Sequence, residues 1–186
     1  MKFSELDNVA KEKAIEEYRE GNPDYPWYEW WDFLFEDFKC ELKEIGIECK
    51  GFYFDFYQNR FIKIEEPYIA EPKKFLISAG FNRELVLLNL SGSGDDIIIS
   101  INNETRELMN SISCEFDYYD EDKELREIFD SEEELGSALE SFLHSILEGF
   151  LKRLEQEYDY LCSDECIADN LEANDFCFLE DGTIVW

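Results

Sequence analysis

Basic residues are what this chain has least of among its charged groups. Seventeen Lys and Arg stand against forty-six Asp and Glu, with a single His, for a formal charge of −29 at pH 7 over 186 residues. That shortage excludes ordinary binding to nucleic-acid phosphates, which requires clustered cations to displace counterions. The lone imidazole, His144, sits in an apolar helical stretch and reads as a satisfied core or boundary histidine. No H-E-x-x-H or G-x-S-x-G element is present, so no catalytic residues are assigned and an enzyme is not expected. No apolar run approaches the length of a membrane span. The opening MKFSELDNVA lacks the apolar region of a secretion signal, which points to a cytoplasmic protein.

Cysteine is present, but its spacing says little. Cys40, Cys49, Cys114, Cys162, Cys166 and Cys177 contain no C-x-x-C pair, and Cys162 and Cys166 stand four apart. In a reducing compartment these read as buried structural thiols, with no metal and no cofactor expected. The Ser91–Asp96 loop carries glycines but matches neither G-x-G-x-x-G nor a P-loop, and its two aspartates would repel a phosphate.

What is abundant is apolar and aromatic matter. The hydrophobic fraction is 45%, with sixteen Phe, ten Tyr and four Trp. A disordered acidic chain lacks this much material for a core. The acids therefore coat a folded body, expected as a single globular domain over 1–186.

The periodicities predict an α+β fold. A first helix, capped by Ser4 or Asp7, carries Leu6, Ala10, Ala14 and Tyr18 and stops at Gly21 and Pro23. A second, from Trp27 to Ile45 behind Pro26, presents Trp27, Trp30, Trp31, Leu34, Phe35, Phe38 and Leu42 as a core face. Phe52, Phe54 and Phe56 then alternate with Tyr53, Asp55 and Tyr57, and Gln58-Asn59-Arg60 turns the chain into Phe61–Ile64. A short helix over Pro72–Ala79 precedes strands at Leu85–Leu90, Ile97–Ile101 and Ser111–Tyr119. These imply a mostly antiparallel sheet of four or five strands. From Ser131 one long amphipathic helix runs to Leu161, Ser163 caps a shorter one over Asp164–Ala173, and Asp181-Gly182 marks a terminal hairpin.

The densest charge lies between Asp117 and Glu134, opposed only by Lys123 and Arg126. Asp117, Asp120, Glu121, Asp122 and Glu124 are the candidate partner-binding residues, with Asp95 and Asp96 secondary. Carboxylates so placed would attract a basic groove meant for DNA or RNA, accelerating association in a salt-dependent way. The expected partner is a basic host protein, a nucleic-acid-binding nuclease complex such as a CRISPR effector or restriction-type enzyme. The chain would inhibit it by mimicking nucleic acid, without contacting nucleic acid or membrane itself. Two alternatives stand beside this: an antitoxin-like protein that neutralises a cognate basic toxin, and a metal-dependent hydrolytic enzyme built from some of the carboxylates.

Two stretches also resemble a known family. ELDNVAKEKAIEEYRE with WYEWWDFLFEDFKCELKEIGIE, and LEQEYDYLCSDECIADNLEANDFCFLEDGTIV, are similar to the two ends of small proteins carried by phages, prophages and plasmids. Glu157, Tyr158, Tyr160, Leu161, Ser163, Asp164 and Glu165, then Glu172 and Asn174, carry the likeness. Some of these proteins bear an antitoxin label. The resemblance implies a mobile-element origin and a cytoplasmic life in a prokaryotic host. Where the family has a Phe-Ser-Gly-Phe-Trp stretch, this chain has Gly51 to Ile69, GFYFDFYQNRFIKIEEPYI, and departs from the pattern.

Overall fold

A computed structural model of the chain describes residues 1–22, 26, 30–55, 58–81, 97–102, 110–116 and 132–185. The architecture is α+β, and the chain divides into two compact units, one formed by Met1–Asp32 with Arg153–Trp186 and the other by Phe33–Lys152.

In the first unit a 3-10 turn at Phe3–Glu5 leads into helix α1 (Asn8–Gly21). Of the two expected caps, Asp7 takes the role: its Oδ1 accepts the Ala10 N–H at 2.9 Å, satisfying an otherwise orphan donor, while Ser4 lies inside the 3-10 turn. Helix α5 (Asp164–Ala173) starts as read, with Ser163 Oγ accepting the Cys166 N–H at 3.2 Å. Strands β7 (Cys177–Phe178) and β8 (Ile184–Val185) pair antiparallel, Phe178 opposite Ile184. Their turn needs Gly182, which has φ +88° and whose missing Cβ would overlap the Ala10 carbonyl of α1. Leu6, Ala10, Ala14 and Tyr18 pack with Phe3, Ile167, Leu171, Phe178 and Ile184. The two alanines leave room for this close approach, which explains why the apolar stripe of α1 is so thin.

In the second unit, helix α2 (Asp32–Glu44, with Asp32 counted in the first unit) begins later than the expected Trp27. Trp30 and Trp31 form a turn before it, and residues 27–29 lie outside the described residues. Asp32 supplies the acid that complements the positive end of the helix dipole. Gly46 (φ +88°) ends this segment, and its carbonyl accepts the N–H groups of both Ala70 and Glu71. Strands β1 (Ile47–Glu48) and β4 (Tyr68–Ile69) pair beside it, as do β2 (Gly51–Asp55) and β3 (Phe61–Glu65). Helix α3 covers Pro72–Ser78 with proline in its first turn. β5 (Ile97–Asn102) and β6 (Ser111–Phe116) form a six-residue antiparallel ladder.

Helix α4 (Glu132–Leu161) is the long helix read from the sequence, and its residues to Lys152 belong to this unit. Leu135, Leu139, Leu143 and Leu147 are buried at four-residue steps, each step drifting about 40° around a helix of 3.6 residues per turn. Phe150 and Leu151 bring the stripe back. Phe150 stacks on Phe38 of α2 at 3.8 Å between ring centroids, and Phe35 and Phe52 close around the pair. The core reading of the aromatic face therefore holds for Phe38 and Leu42, while Trp30, Trp31, Leu34 and Phe35 are half-buried.

The strands are antiparallel as expected but, among the described residues, pair as four two-stranded ladders. Side chains occupy part of the edges of three strands. Ile64 of β3 donates its N–H to Asn110 Oδ1 at 2.8 Å, and its carbonyl accepts from Asn110 Nδ2 at 3.3 Å. Ile112 of β6 donates to Glu140 Oε2 at 3.1 Å, and Ile184 of β8 to Glu17 Oε1 at 3.3 Å. Each bond uses a backbone group that a neighbouring strand would otherwise take, leaving fewer places for a ladder to grow. The expected strand at Leu85–Leu90 falls outside the described residues. Among the described residues no helix is long and apolar enough to cross a membrane.

Candidate functional site

The register of the β5–β6 ladder fixes where the described chain meets the two acidic segments. Ile97, the first residue of β5, is the direct partner of Phe116, the last of β6. The chain enters β5 immediately after Asp95-Asp96 and leaves β6 immediately before Asp117. The attachment points of the two candidate acidic stretches are thus side by side at one end of one ladder, though 18 residues of chain separate Ile97 from Phe116. Asp95, Asp96, Asp117, Asp120, Glu121, Asp122 and Glu124 themselves lie outside the described residues. The acidic run re-enters the described chain at α4, where Glu133 and Glu134 are exposed in the first turns.

β6 and α4 meet in a fixed register. The backbone carbonyl of Asn110 accepts from His144 Nε2 at 2.7 Å, the Ile112 N–H reaches Glu140, and the Ile112 carbonyl faces Gly136. Two residues along an extended strand cover nearly the same length as four along a helix, so the matches at 110/144 and 112/140 keep step. His144 is the satisfied boundary histidine the sequence suggested, with Nε2 as the donor. On the same seam lies a groove of about 380 Å³, lined by Ile112, Ser113 and Cys114 from the strand and by Glu133, Gly136, Ser137 and Glu140 from the helix.

The electrostatics of the described surface follow from how its cations are used. Lys2, Lys13, Arg19, Lys39, Lys43, Lys50, Arg60, Lys74 and Lys152 each sit within 4.0 Å of a carboxylate. Exposed pairs of this kind add little stability, but they spend the scarce positive charge locally and leave the excess of acids uncompensated. Lys50 bridges Glu65 and Glu66, and Glu65 is held below the usual carboxylate range by the Tyr53 hydroxyl and then by Lys50.

The thiols require a correction. All six are unbridged, and only Cys114 is buried; Cys40 and Cys177 are exposed, and Cys49, Cys162 and Cys166 are half-buried. Cys40 and Cys177 fall on the outward faces of α2 and β7, positions that the spacing of cysteines alone does not reveal. Desolvation pushes the Cys49 thiol up to about 11, which keeps it protonated at neutral pH. Among the described residues no group of three or more His, Cys, Asp or Glu is placed to hold a metal ion.

Two buried polar residues escaped the sequence reading: Asn110, fully buried, and Lys63, 6% exposed. Asn110 precedes a strand and looks like an ordinary turn residue. Its only sequence signal is position, two residues before Ile112 on the face that alternates inward. No family model, no curated protein and no solved structure matches the chain.

Proposed function

We propose that this chain is an acidic protein of a mobile genetic element that binds and inhibits a host nucleic-acid-binding nuclease, of the CRISPR-effector or restriction type, within the host cytoplasm. It does so by presenting carboxylates to a channel lined with Lys and Arg. The observation that carries the reading is the pairing of Ile97 with Phe116, which sets side by side the points where the chain arrives from Asp95-Asp96 and departs toward Asp117. Carboxylates carried on segments that start from one point would give a strong local field that steers a basic partner, whereas acids spread evenly confer mainly solubility. The net charge of −29 and the local consumption of cations by ion pairs support the same reading.

The test is capture from host lysate on the immobilised chain, washed at low and then high salt, with a variant in which Asp117, Asp120, Glu121, Asp122 and Glu124 are all changed to Lys. A nuclease that is retained at low salt, released at high salt and displaced by its own nucleic acid is expected from the native chain. The variant should lose it while keeping a native circular dichroism spectrum. Undiminished retention of the nuclease by the variant would place the binding surface elsewhere, and retention of one small basic protein in equimolar amount would favour a toxin as the partner.

A further inference from the structure

The groove between β6 and α4 has a floor that the backbone does not require. Gly136 sits inside a thirty-residue helix, where glycine is less favourable than alanine. It has no positive φ, and an added Cβ would meet the Ile112 carbonyl oxygen at 3.5 Å, an ordinary contact. Neither strain nor close approach explains it. What the missing side chain provides is space, flanked on the same helical face by Glu133 three residues before and Glu140 four residues after.

The lining combines an apolar floor of Ile112, Cys114 and Gly136 with an acidic rim. Among the described residues no cation lines the groove, and neither Glu133 nor Glu140 enters an ion pair. Glu140 spends Oε2 on the Ile112 N–H, leaving Oε1 available, and Ser137 brings a hydroxyl. An occupant with an apolar stem and a cationic head matches this pattern. A volume of about 380 Å³ lies at the small end of ligand pockets and suits one long side chain better than a stretch of polypeptide.

We infer that this groove receives a single arginine side chain of the basic partner, an assignment that rests on the proposed inhibition of a nucleic-acid-binding protein. The methylenes of the arginine lie over Gly136, and its guanidinium donates to Glu133 and Glu140 at the rim. Arginine fits better than lysine because the acceptors stand on two sides of the space, and a planar fork of five donors can reach both.

The test is a titration of the full chain with Nα-acetyl-arginine amide, followed by amide chemical shifts at moderate salt. Saturating shifts confined to residues 112–114 and 133–140 are expected, larger than those given by Nα-acetyl-lysine amide. The double variant Glu133→Gln, Glu140→Gln should lose them, while the side-chain amide oxygen introduced at position 140 still accepts from Ile112 and keeps the fold. The control Glu12→Gln, Glu16→Gln removes the same charge from α1 and should leave the shifts in place. Shifts scattered evenly over the acidic surface, or a groove variant that titrates like the native chain, would overturn the assignment. Because the probe is not a nuclease, the titration can fail while the capture experiment succeeds, and the reverse.

Discussion

The unit made of residues 1–32 and 153–186 and the unit made of residues 33–152 close their cores by different means. The first joins the two ends of the described chain: Met1 and Phe178 exchange backbone hydrogen bonds in both directions, Lys13 bonds Asp181, and Arg19 bonds Asp164. Its core is thin, with two alanines in the helix face and one glycine pressed against a carbonyl. The second builds its core from large aromatic rings and buries a polar side chain, Asn110, along with them to finish an edge of β3. A thin core depends on the few positions where backbones touch. A thick one depends on volume, and on the polar groups buried along with it. The same chain thus contains one region governed by sterics and another governed by packing and hydrogen-bond satisfaction.

The strongest challenge to this contrast is Gly182→Ala. A left-handed φ for a non-glycine residue and an overlap with the Ala10 backbone together should cost about 4 kcal/mol or more. Native-state hydrogen exchange should then show lost protection in α1 and α5 and retained protection in β2–β3 and β5–β6. Equal loss everywhere would mean that the two units unfold as one. Next comes Phe38→Ala, which removes a fully buried ring stacked on Phe150 and should cost about 3–4 kcal/mol, read as a fall in the denaturation midpoint.

Asn110→Ala tests the polar half of the contrast. It leaves the Ile64 N–H and carbonyl buried without the Asn110 side chain, for about 2–3 kcal/mol. The bond from His144 runs to the Asn110 backbone carbonyl and should survive, so the loss of protection should centre on β3. A variant as stable as the native chain would show that other groups satisfy this edge.

The smallest effect is electrostatic and lies in the first unit. Lys13, then the backbone and hydroxyl of Thr183, hold the Asp181 carboxyl down to about 2 from 3.8. Since the folded value is the lower one, the stabilisation is present above about pH 4 and fades as the pH falls toward 2. Carboxyl chemical shifts should report the low value, and Lys13→Ala should move it upward with little change in stability at neutral pH, as expected of an exposed pair.

How much of this was legible in advance follows the same division. The Asp7 and Ser163 caps, the proline at the start of α3 and the Asp181-Gly182 turn all act within a few residues of themselves, and each stands where the sequence places it. The delayed start of α2 and the outward positions of Cys40 and Cys177 were not legible, because a helical or strand period does not say which face becomes the outer one. For the candidate site, the acidic residues could be read from composition alone. That the points where the two acidic stretches join the described chain are neighbours could not, because it depends on the register of β5 against β6.

Fold class, most helix limits and the sign of the electrostatic field were already decided in the sequence, because propensity, capping and net charge are local or additive. Tertiary structure settled which strand edges are closed, which polar groups are buried and where a groove opens. Those depend on partners 46 residues apart for Asn110 with Ile64 and 28 for Glu140 with Ile112, and only the folded chain brings them within hydrogen-bonding distance.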